Sequence, residues 1–325
     1  MLDVRRLRLL RELGRLGTIA AVAQAFSYTP SAVSQQLSAL EREAGVPLVR
    51  HVGRRVALTP AGQDLASRTE PVLAMLEEAA AALAAARSEL AGELRIGAFP
   101  TAVRTLVPAA LVELGSAHPK LELKVTELDP VQAPDALRTG ALDIALVHEY
   151  DYVPADRDPA VDTHPLLTEA IFLASDGELP SADSDPLSCC AELPWIAATQ
   201  GTLCYLMAER LCQASGFRPR IRHYADDFAT VLALVAAGQG VALVPELALA
   251  DPPAGVVLTA LTARRRTLIA CRSGAASHPA IAACAAAIRS AAASHLGRGL
   301  PGEAQHEEAD RVAEHGHRGR QRHRQ

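Results

Sequence analysis

Residues 29–45, with the sequence TPSAVSQQLSALEREAG, decide the interpretation of this chain. Their pattern predicts an amphipathic helix that begins at Pro30, because proline is favoured at the first helical position. Small hydroxylated residues occupy the first turn, and two glutamines, Gln35 and Gln36, lie on the outer face. The segments on either side indicate what such a helix would contact.

Two more helices are predicted on the N-terminal side. Apolar residues recur at helical spacing over residues 2–13 and are followed by Gly14 and Gly17. Thr18 then caps a second helix, IAAVAQAF, which a three-residue link joins to the helix at Pro30. Two short helices joined in this way, the second one longer, match a helix-turn-helix, whose second helix enters the major groove of DNA.

The stretch GVPLVRHVGRRVALT, residues 45–59, alternates apolar residues around a Gly-Arg-Arg tip. This pattern predicts a small β-hairpin or wing whose Arg54 and Arg55 could reach DNA phosphates, and a hairpin that only faces solvent is the alternative. Residues 1–62 hold nine arginines against four acidic residues, whereas the whole chain has a formal charge of -5. Such asymmetry is typical of a nucleic-acid-binding head, although a solvated basic face would give the same distribution.

From Pro60 to about Leu90 nearly every residue favours a helix. The apolar positions of this segment form a stripe that needs a partner, so we expect the helix to dimerise. The stripe consists of Leu65, Val72, Leu73, Leu76, Ala80, Leu83 and Leu90.

Beyond Gly92 strand-like runs alternate with helical ones, which predicts an α/β body with two lobes. The complete expectation is an α/β fold with an α-rich N-terminal winged helix-turn-helix, a long linker helix and a two-lobed body. The predicted divisions are a winged head at 1–59, a linker helix at 60–91, a two-lobed body at 92–299 (lobe I at about 92–163 and 269–299, lobe II at about 164–268) and a disordered tail at 300–325.

Several functional classes are disfavoured by the composition. Six cysteines lack metal-type spacing, so neither a zinc site nor a disulfide framework is indicated, and a reducing cytoplasm fits best. The chain has no export signal and no run of 18 apolar residues, so it is predicted to be neither secreted nor membrane-spanning. Without a nucleophile elbow, a Gly-rich phosphate loop or an HExxH motif, we expect no enzyme, no cofactor and no metal site.

The chain resembles the LysR-type transcriptional regulators over essentially its whole length up to about residue 298. The segment from LRLLRELGRLG to RRVALTPAG follows the N-terminal pattern of that family, and LRTGALDIALV and VAAGQGVALVPE resemble its regulatory domain. The resemblance implies a dimerising linker helix. It also implies that the two-lobed body at 92–299 is an effector domain like periplasmic binding proteins, which holds a small-molecule effector between its lobes. It also implies dimers or tetramers that bind double-stranded DNA.

The candidate DNA contacts lie at the helix starts and the wing. Pro30 departs from the family, which commonly has a polar residue there, and it offers no hydrogen-bond donor to a base. Base reading should therefore shift to Ser31, Ser34 and Gln35, since glutamine pairs with adenine through two hydrogen bonds. A surface glutamine that contacts only water is the alternative. The full predicted set is Thr18, Thr29, Pro30, Ser31, Ser34, Gln35, Arg54 and Arg55.

The candidate effector contacts come from GAFPTAV and AATQGTLCY, two places where a helix with hydroxyl groups follows a strand. Helix N-termini of this kind attract anions, so the effector is predicted to be a small organic anion. Threonines that only cap helices are an equally good explanation at each place, and the family resemblance favours the effector. The predicted contacts are Thr101, Ala102, Thr199, Gln200, Gly201 and Thr202.

Three alternatives stay open at this stage. A solute-binding module for transport would share the two-lobed body but not the basic head, and an enzyme on this fold lacks an acid-base constellation. Peroxide-sensing members of the family use two cysteines near the positions of Cys204 and Cys212, although buried cysteines are the simpler interpretation. The operator sequence, the identity of the effector and the direction of regulation are not encoded in any recognisable motif.

Overall fold

A computed structural model describes residues 1–52, 55–87, 89–154, 157–179 and 185–296. The predicted tail at 300–325 and the last residues of the predicted effector domain lie outside these ranges. No helix within the described ranges is long and apolar enough to cross a membrane.

The N-terminal head consists of three helices and a hairpin, as the sequence predicts. These are α1 (Val4–Leu16), α2 (Ile19–Ala25), α3 (Pro30–Ala44), β1 (Val49–Val52) and β2 (Arg55–Leu58), with β1 and β2 antiparallel. The side chains of Asp3, Thr18 and Thr29 accept backbone N–H groups at the three helix starts. Leu10, Leu40 and their aliphatic neighbours fill the core between the helices.

The long helix α4 (Pro60–Ala85) begins at the predicted residue and ends five residues before Leu90. One of its faces packs on the rest of the chain, where Leu73 and Ala81 are buried. Another face exposes large apolar side chains, which are Val72, Met75, Leu76 and Leu83. Three residues of the predicted stripe, Val72, Leu76 and Leu83, lie on this exposed face.

The strands of the body are β3 (Gly92–Ala98), β4 (Leu121–Glu127), β5 (Ile144–Tyr150), β6 (Val161–Ser175), β7 (Pro194–Ala197), β8 (Arg220–Tyr224), β9 (Ala242–Pro245) and β10 (Val257–Arg272). Within the described residues, six of them form one sheet in the order β4-β3-β5-β10-β6-β9. The strands β3, β4 and β5 are parallel, and β6 and β10 are long antiparallel partners that extend from lobe I into lobe II. The predicted lobe boundaries fall inside these two strands, because each is continuous across both lobes.

Helices cover the sheet in both lobes. They are α5 (Pro100–Thr105), α6 (Val107–Ala117), α7 (Ala133–Thr139), α8 (Leu203–Ala214), α9 (Phe228–Ala236) and α10 (Pro279–Leu296). Lobe I has a core between the sheet and α6 and α10 and a smaller one under α7. Lobe II has one core around Trp195 and one under α9. Small aliphatic side chains dominate all of them, as the low aromatic content predicts.

Candidate DNA-binding surface and effector cleft

The outer face of α3 presents the predicted base-reading residues to solvent. Ser31, Ser34 and Gln35 are exposed, while Val33 and Leu37 on the opposite face are buried in the core of the head. An amphipathic helix anchored in this way offers its polar side chains to a groove without moving.

The other residues predicted to contact DNA lie at two helix starts and at the wing. Thr29 Oγ1 accepts the N–H of Ala32 at 3.2 Å, and Thr18 Oγ1 accepts the N–H of Ala21 at 3.1 Å, so both threonines act as caps. Pro30 is the first helical residue, as predicted. At the wing, Arg54 and the side chain of Arg55 lie outside the described residues, so their phosphate contacts stay a prediction.

In lobe I, Thr101 lies in the first turn of α5 and is only 8% exposed. Its hydroxyl does not cap the helix, because the N-cap residue is Phe99. Thr101 Oγ1 instead accepts a hydrogen bond from Arg265 Nη2 at 3.2 Å. Ala102 is fully buried in the core of lobe I, so its side chain contributes packing at this place.

Arg265 on β10 is a buried cation that sequence reasoning missed, and it is 1% exposed. Its Nε donates to Glu169 Oε1 at 2.7 Å, and its guanidinium carbon lies 4.9 Å from the ring centre of Phe99. Burial lowers the pKa of Arg265, but the charge of Glu169 and the neighbouring Tyr150 raise it by more than burial lowers it. The pKa therefore lies above its ordinary value. Charged residues inside the apolar strands β6 and β10 were the signal that could have revealed this pair.

The aromatic rings of His148 and Tyr150 lie beside Arg265 and Phe99. His148 packs edge-on against Phe99 at 4.8 Å and against Tyr150 at 4.9 Å between ring centres. Burial and then the charge of Arg265 lower the pKa of His148 well below its ordinary value, so the ring is neutral at neutral pH. Among the described residues, His148 Nδ1 and Thr267 Oγ1 are buried without a hydrogen-bond partner.

In lobe II, the predicted anion donors already hold a carboxylate of the chain itself. The backbone N–H and the hydroxyl of Thr199 donate to the two carboxylate oxygens of Asp226 at 2.7 and 2.8 Å. Thr202 caps α8 by accepting the N–H of Tyr205 at 3.2 Å. Gln200 is exposed, and Gly201 turns the chain at a φ of +93°. At Thr202 the structure therefore shows the structural role that the sequence left as an alternative.

The two lobes touch directly at two points around Thr101. Tyr150 Oη lies 3.2 Å from Cys204 Sγ at the start of α8, and Arg104 Nη2 lies 3.3 Å from Asp227 Oδ1 at the start of α9. A groove of about 1940 Å³ lies between the head and the sheet of lobe I and reaches His148, Tyr150 and Leu203. None of the predicted effector residues lines it among the described residues.

The cysteines are all free within the described part of the chain. Burial raises the pKa of Cys204 and raises that of Cys212, in the core of lobe II, to about 12. The same ranges contain no group of three His, Cys, Asp or Glu side chains placed to hold a metal ion.

A winged helix-turn-helix head, a long linker helix and a two-lobed α/β body with a polar cleft define a DNA-binding regulator that responds to a small molecule. Residues 4–63 match the family model described as bacterial regulatory helix-turn-helix protein, lysR family, and residues 87–293 match the LysR substrate binding domain. The chain belongs to the LysR family of transcriptional regulators.

Several relatives are similar over most of the chain. A probable hydrogen peroxide-inducible genes activator of Streptomyces viridosporus is 31% identical over 306 residues, which cover 89% of this chain and 96% of the relative. The transcriptional activator IlvY of Salmonella typhimurium is 28% identical and covers 78% of this chain and 85% of its own length. Among solved structures, an OxyR mutant of Corynebacterium glutamicum has the same fold, with a TM-score of 0.56, 24% identity and coverage of 91% of this chain and 94% of that one.

Proposed function

We propose that this LysR-type regulator reads double-stranded DNA with α3 and the wing, and binds a small organic anion between its lobes in the cytoplasm. The division into a head at 1–59, a linker helix at 60–91 and an effector domain at 92–299 is part of the proposal. It is supported by the ranges of the two family models. Self-association through the exposed face of α4 would cover its apolar side chains.

The buried guanidinium of Arg265 beside Thr101 is the observation that carries the effector class. A guanidinium has five N–H donors, and the hydrogen bonds among the described residues use two of them, one to Glu169 and one to Thr101. A permanent cation with donors directed near a cleft favours a carboxylate over a neutral group. Because Arg265 and Thr101 are buried, an effector reaches them only when the contacts between the lobes separate.

Opening of this kind also explains a response to the effector. A ligand that binds the open cleft would hold Tyr150 apart from Cys204 and Arg104 apart from Asp227. It would thereby shift the equilibrium between two arrangements of the lobes. An effector carboxylate at Thr199 would in addition have to displace Asp226.

Calorimetric titration with a panel of small organic acids and their neutral amides tests the effector class. We expect an acid to bind the wild type and to bind Thr101→Val at least about tenfold more weakly, the cost of one charge-assisted contact. Thr139→Val on α7, whose hydroxyl donates only within its own helix region, is the matched control. Binding by neutral compounds alone, or an acid whose affinity ignores Thr101→Val, would contradict the proposal.

DNA selected by the wild type from a random pool tests the head. Gln35→Ala should cost roughly 1–3 kcal/mol on the selected site and little on random DNA. Gln132→Ala, an exposed glutamine of the effector domain, should change neither affinity. Arg54→Ala with Arg55→Ala should weaken binding to all sequences and reduce its salt dependence. Equal losses on both DNAs for Gln35→Ala would make this residue a backbone contact.

Response to a peroxide is the second candidate, because Cys204 lies in the cleft and relatives are named as peroxide-inducible gene activators. A thiol reacts with peroxide as the thiolate, and burial raises the pKa of Cys204, which disfavours that form. Mass spectrometry after peroxide treatment decides between the candidates. Rapid oxidation of Cys204 at micromolar peroxide would favour the second one.

A further inference from the structure

A buried group of charges joins the head to lobe I. At its centre is Glu12 of α1, which is 0% exposed. Glu12 Oε1 accepts from Arg11 Nε at 2.9 Å and from Arg138 Nε at 2.8 Å, and Glu12 Oε2 accepts from Arg15 Nε at 2.8 Å. Two of these arginines are on α1 itself, whereas Arg138 belongs to α7 in the effector domain. We call the complete group the Glu12 cluster: Arg11, Glu12, Arg15, Glu70, Asp135, Arg138 and Asp158.

Arg138 makes contacts to three parts of the chain at once. Besides Glu12 in the head, it donates to Glu70 of the linker helix α4, from Nη2 to Oε1 at 3.3 Å, and to Asp158 of lobe I. Only 4% of its side chain is exposed. A planar guanidinium held by three carboxylates has one allowed orientation, so it fixes the groups around it.

The linker helix α4 makes a second contact with the effector domain, toward its C-terminal end. Arg272 Nε donates to Glu77 Oε1 at 3.0 Å, and the backbone of Gly274 lies so close to α4 that a Cβ there would be 2.3 Å from the carbonyl oxygen of Ala74. The effector domain therefore contacts α4 at two levels as well as the head. This arrangement leaves α3 exposed, so none of these contacts blocks the proposed DNA surface.

A buried ion cluster of this kind favours one arrangement more than it adds net stability. Desolvation of the charges offsets most of their attraction, but the removal of one partner leaves an uncompensated buried charge. Burial raises the pKa of Glu12, and Arg11 and Arg138 outweigh that effect, so the pKa lies below its ordinary value. Glu12 thus stays ionised and keeps its ion pair with Arg138.

We propose that Arg138 of the effector domain is a positioning residue for DNA binding, which sets the orientation of the DNA-binding head through its contact with Glu12. The inference rests on the proposed reading of DNA by α3. In an oligomer the distance between two α3 helices depends on how each head is held, and two half-sites on DNA have a fixed spacing. Loss of Arg138 therefore changes the affinity for paired half-sites relative to a single half-site, without any change at the DNA surface.

The test uses the full chain and DNA that the wild type selects from a random pool, as the complete site and with one half scrambled. Arg138→Gln and Glu12→Gln should each change the ratio of the two affinities about fivefold or more, the size of a typical coupling between sites. The double variant should show no larger change than either single one, because both remove the same contact. Arg138→Lys, which keeps the charge but not the planar fork, should lie between the wild type and Arg138→Gln.

Arg68→Gln is the matched control, because Arg68 pairs with Asp64 on the exposed side of the same linker helix. It should leave the ratio unchanged. An unchanged ratio in both Arg138→Gln and Glu12→Gln would overturn the inference, and so would equal losses on the complete and the scrambled site, which indicate a damaged fold.

Small-angle scattering separates this inference from the proposed function. Arg138→Gln should increase the radius of gyration of the DNA-free chain, because the head is released from lobe I. A wild type that selects no DNA would contradict the proposed function, and an unchanged radius of gyration would then overturn the positioning role as well.

Discussion

Removal of the buried carboxylate of Glu169 should destabilise the effector domain strongly. Glu169 is 2% exposed and has both of its oxygens engaged, Oε1 with Arg265 and Oε2 with the N–H of Leu247 at 2.7 Å. In Glu169→Ala the Arg265 guanidinium keeps its charge but loses its counter-ion, and water cannot reach it. The N–H of Leu247 loses its acceptor at the same time.

The magnitude follows from the burial of the pair. Breaking a buried ion pair from one side costs about 3–5 kcal/mol, and an unpaired buried N–H adds about 1–3 kcal/mol. The Glu169→Leu and Arg265→Met double variant replaces both charges with apolar side chains of similar size and should recover most of the loss. The comparison of Glu169→Ala with the double variant therefore separates a net attraction from the cost of an isolated charge.

Urea unfolding followed by the fluorescence of Trp195 measures the effect. This is the only tryptophan of the sequence, and it packs in lobe II beside Ile171 and Leu173 of β6, the strand that carries Glu169. The transition it reports is that of the effector domain, which avoids averaging over the separate units of the chain. Glu192→Ala, at an exposed ion pair of lobe II, is the matched control and should leave the midpoint unchanged.

Two results would refute this reasoning. If Glu169→Ala unfolds at the same urea concentration as the wild type, Arg265 is hydrated or held by other groups. If the double variant is as unstable as Glu169→Ala, the loss comes from altered packing of β6 and not from the isolated charge.

Three further predictions concern Glu12 in the head, the contact of the effector domain with the linker helix, and the exposed face of that helix. Burial raises the pKa of Glu12, but its arginine neighbours lower it more, so the pKa lies below the ordinary 4.5. The ionised carboxylate therefore stabilises the fold above about pH 4.5, and this contribution is lost as the pH falls through the folded-state pKa. Glu12→Gln should flatten that part of the curve of stability against pH in acid titrations. Gly274→Ala should lower the unfolding temperature more than Gly255→Ala, because both glycines have positive φ but a Cβ at Gly274 would strike the backbone of α4, and equal losses would exclude the close approach. Leu83→Glu on the exposed face of α4 should weaken self-association in sedimentation experiments, whereas Val112→Glu, equally exposed on α6, should not.

The sequence predicted the head in detail because its signals are local. Thr18 caps α2 and Pro30 begins α3, as predicted, and the amphipathic pattern of α3 predicted a buried face, which Val33 and Leu37 form. The alternation of strands and helices likewise predicted the two-lobed body. Each of these signals depends on residues within one or two turns of each other, so the chain around them matters little.

The sequence predicted an effector site at the junction of the lobes but not which side chains meet there. Thr101 is next to the junction of the lobes, but its partner, Arg265, is 164 residues away, and the donors of Thr199 are taken by Asp226, which is 27 residues away. Ala102 faces the core because consecutive residues of a helix point about 100° apart, so Ala102 does not share the face of Thr101. No local pattern encodes such pairs, since strand register determines which side chains meet.

The contact between head and effector domain depended on the tertiary structure alone. Glu12 and Arg138 are 126 residues apart, and in the sequence each looks like an ordinary charged residue on a helix. Caps and apolar periods determined the helices that carry them, because those are properties of neighbouring residues. Packing of lobe I against α1 and α4 excluded water from both side chains, and only that burial turned two surface charges into a fixed connection between the domains.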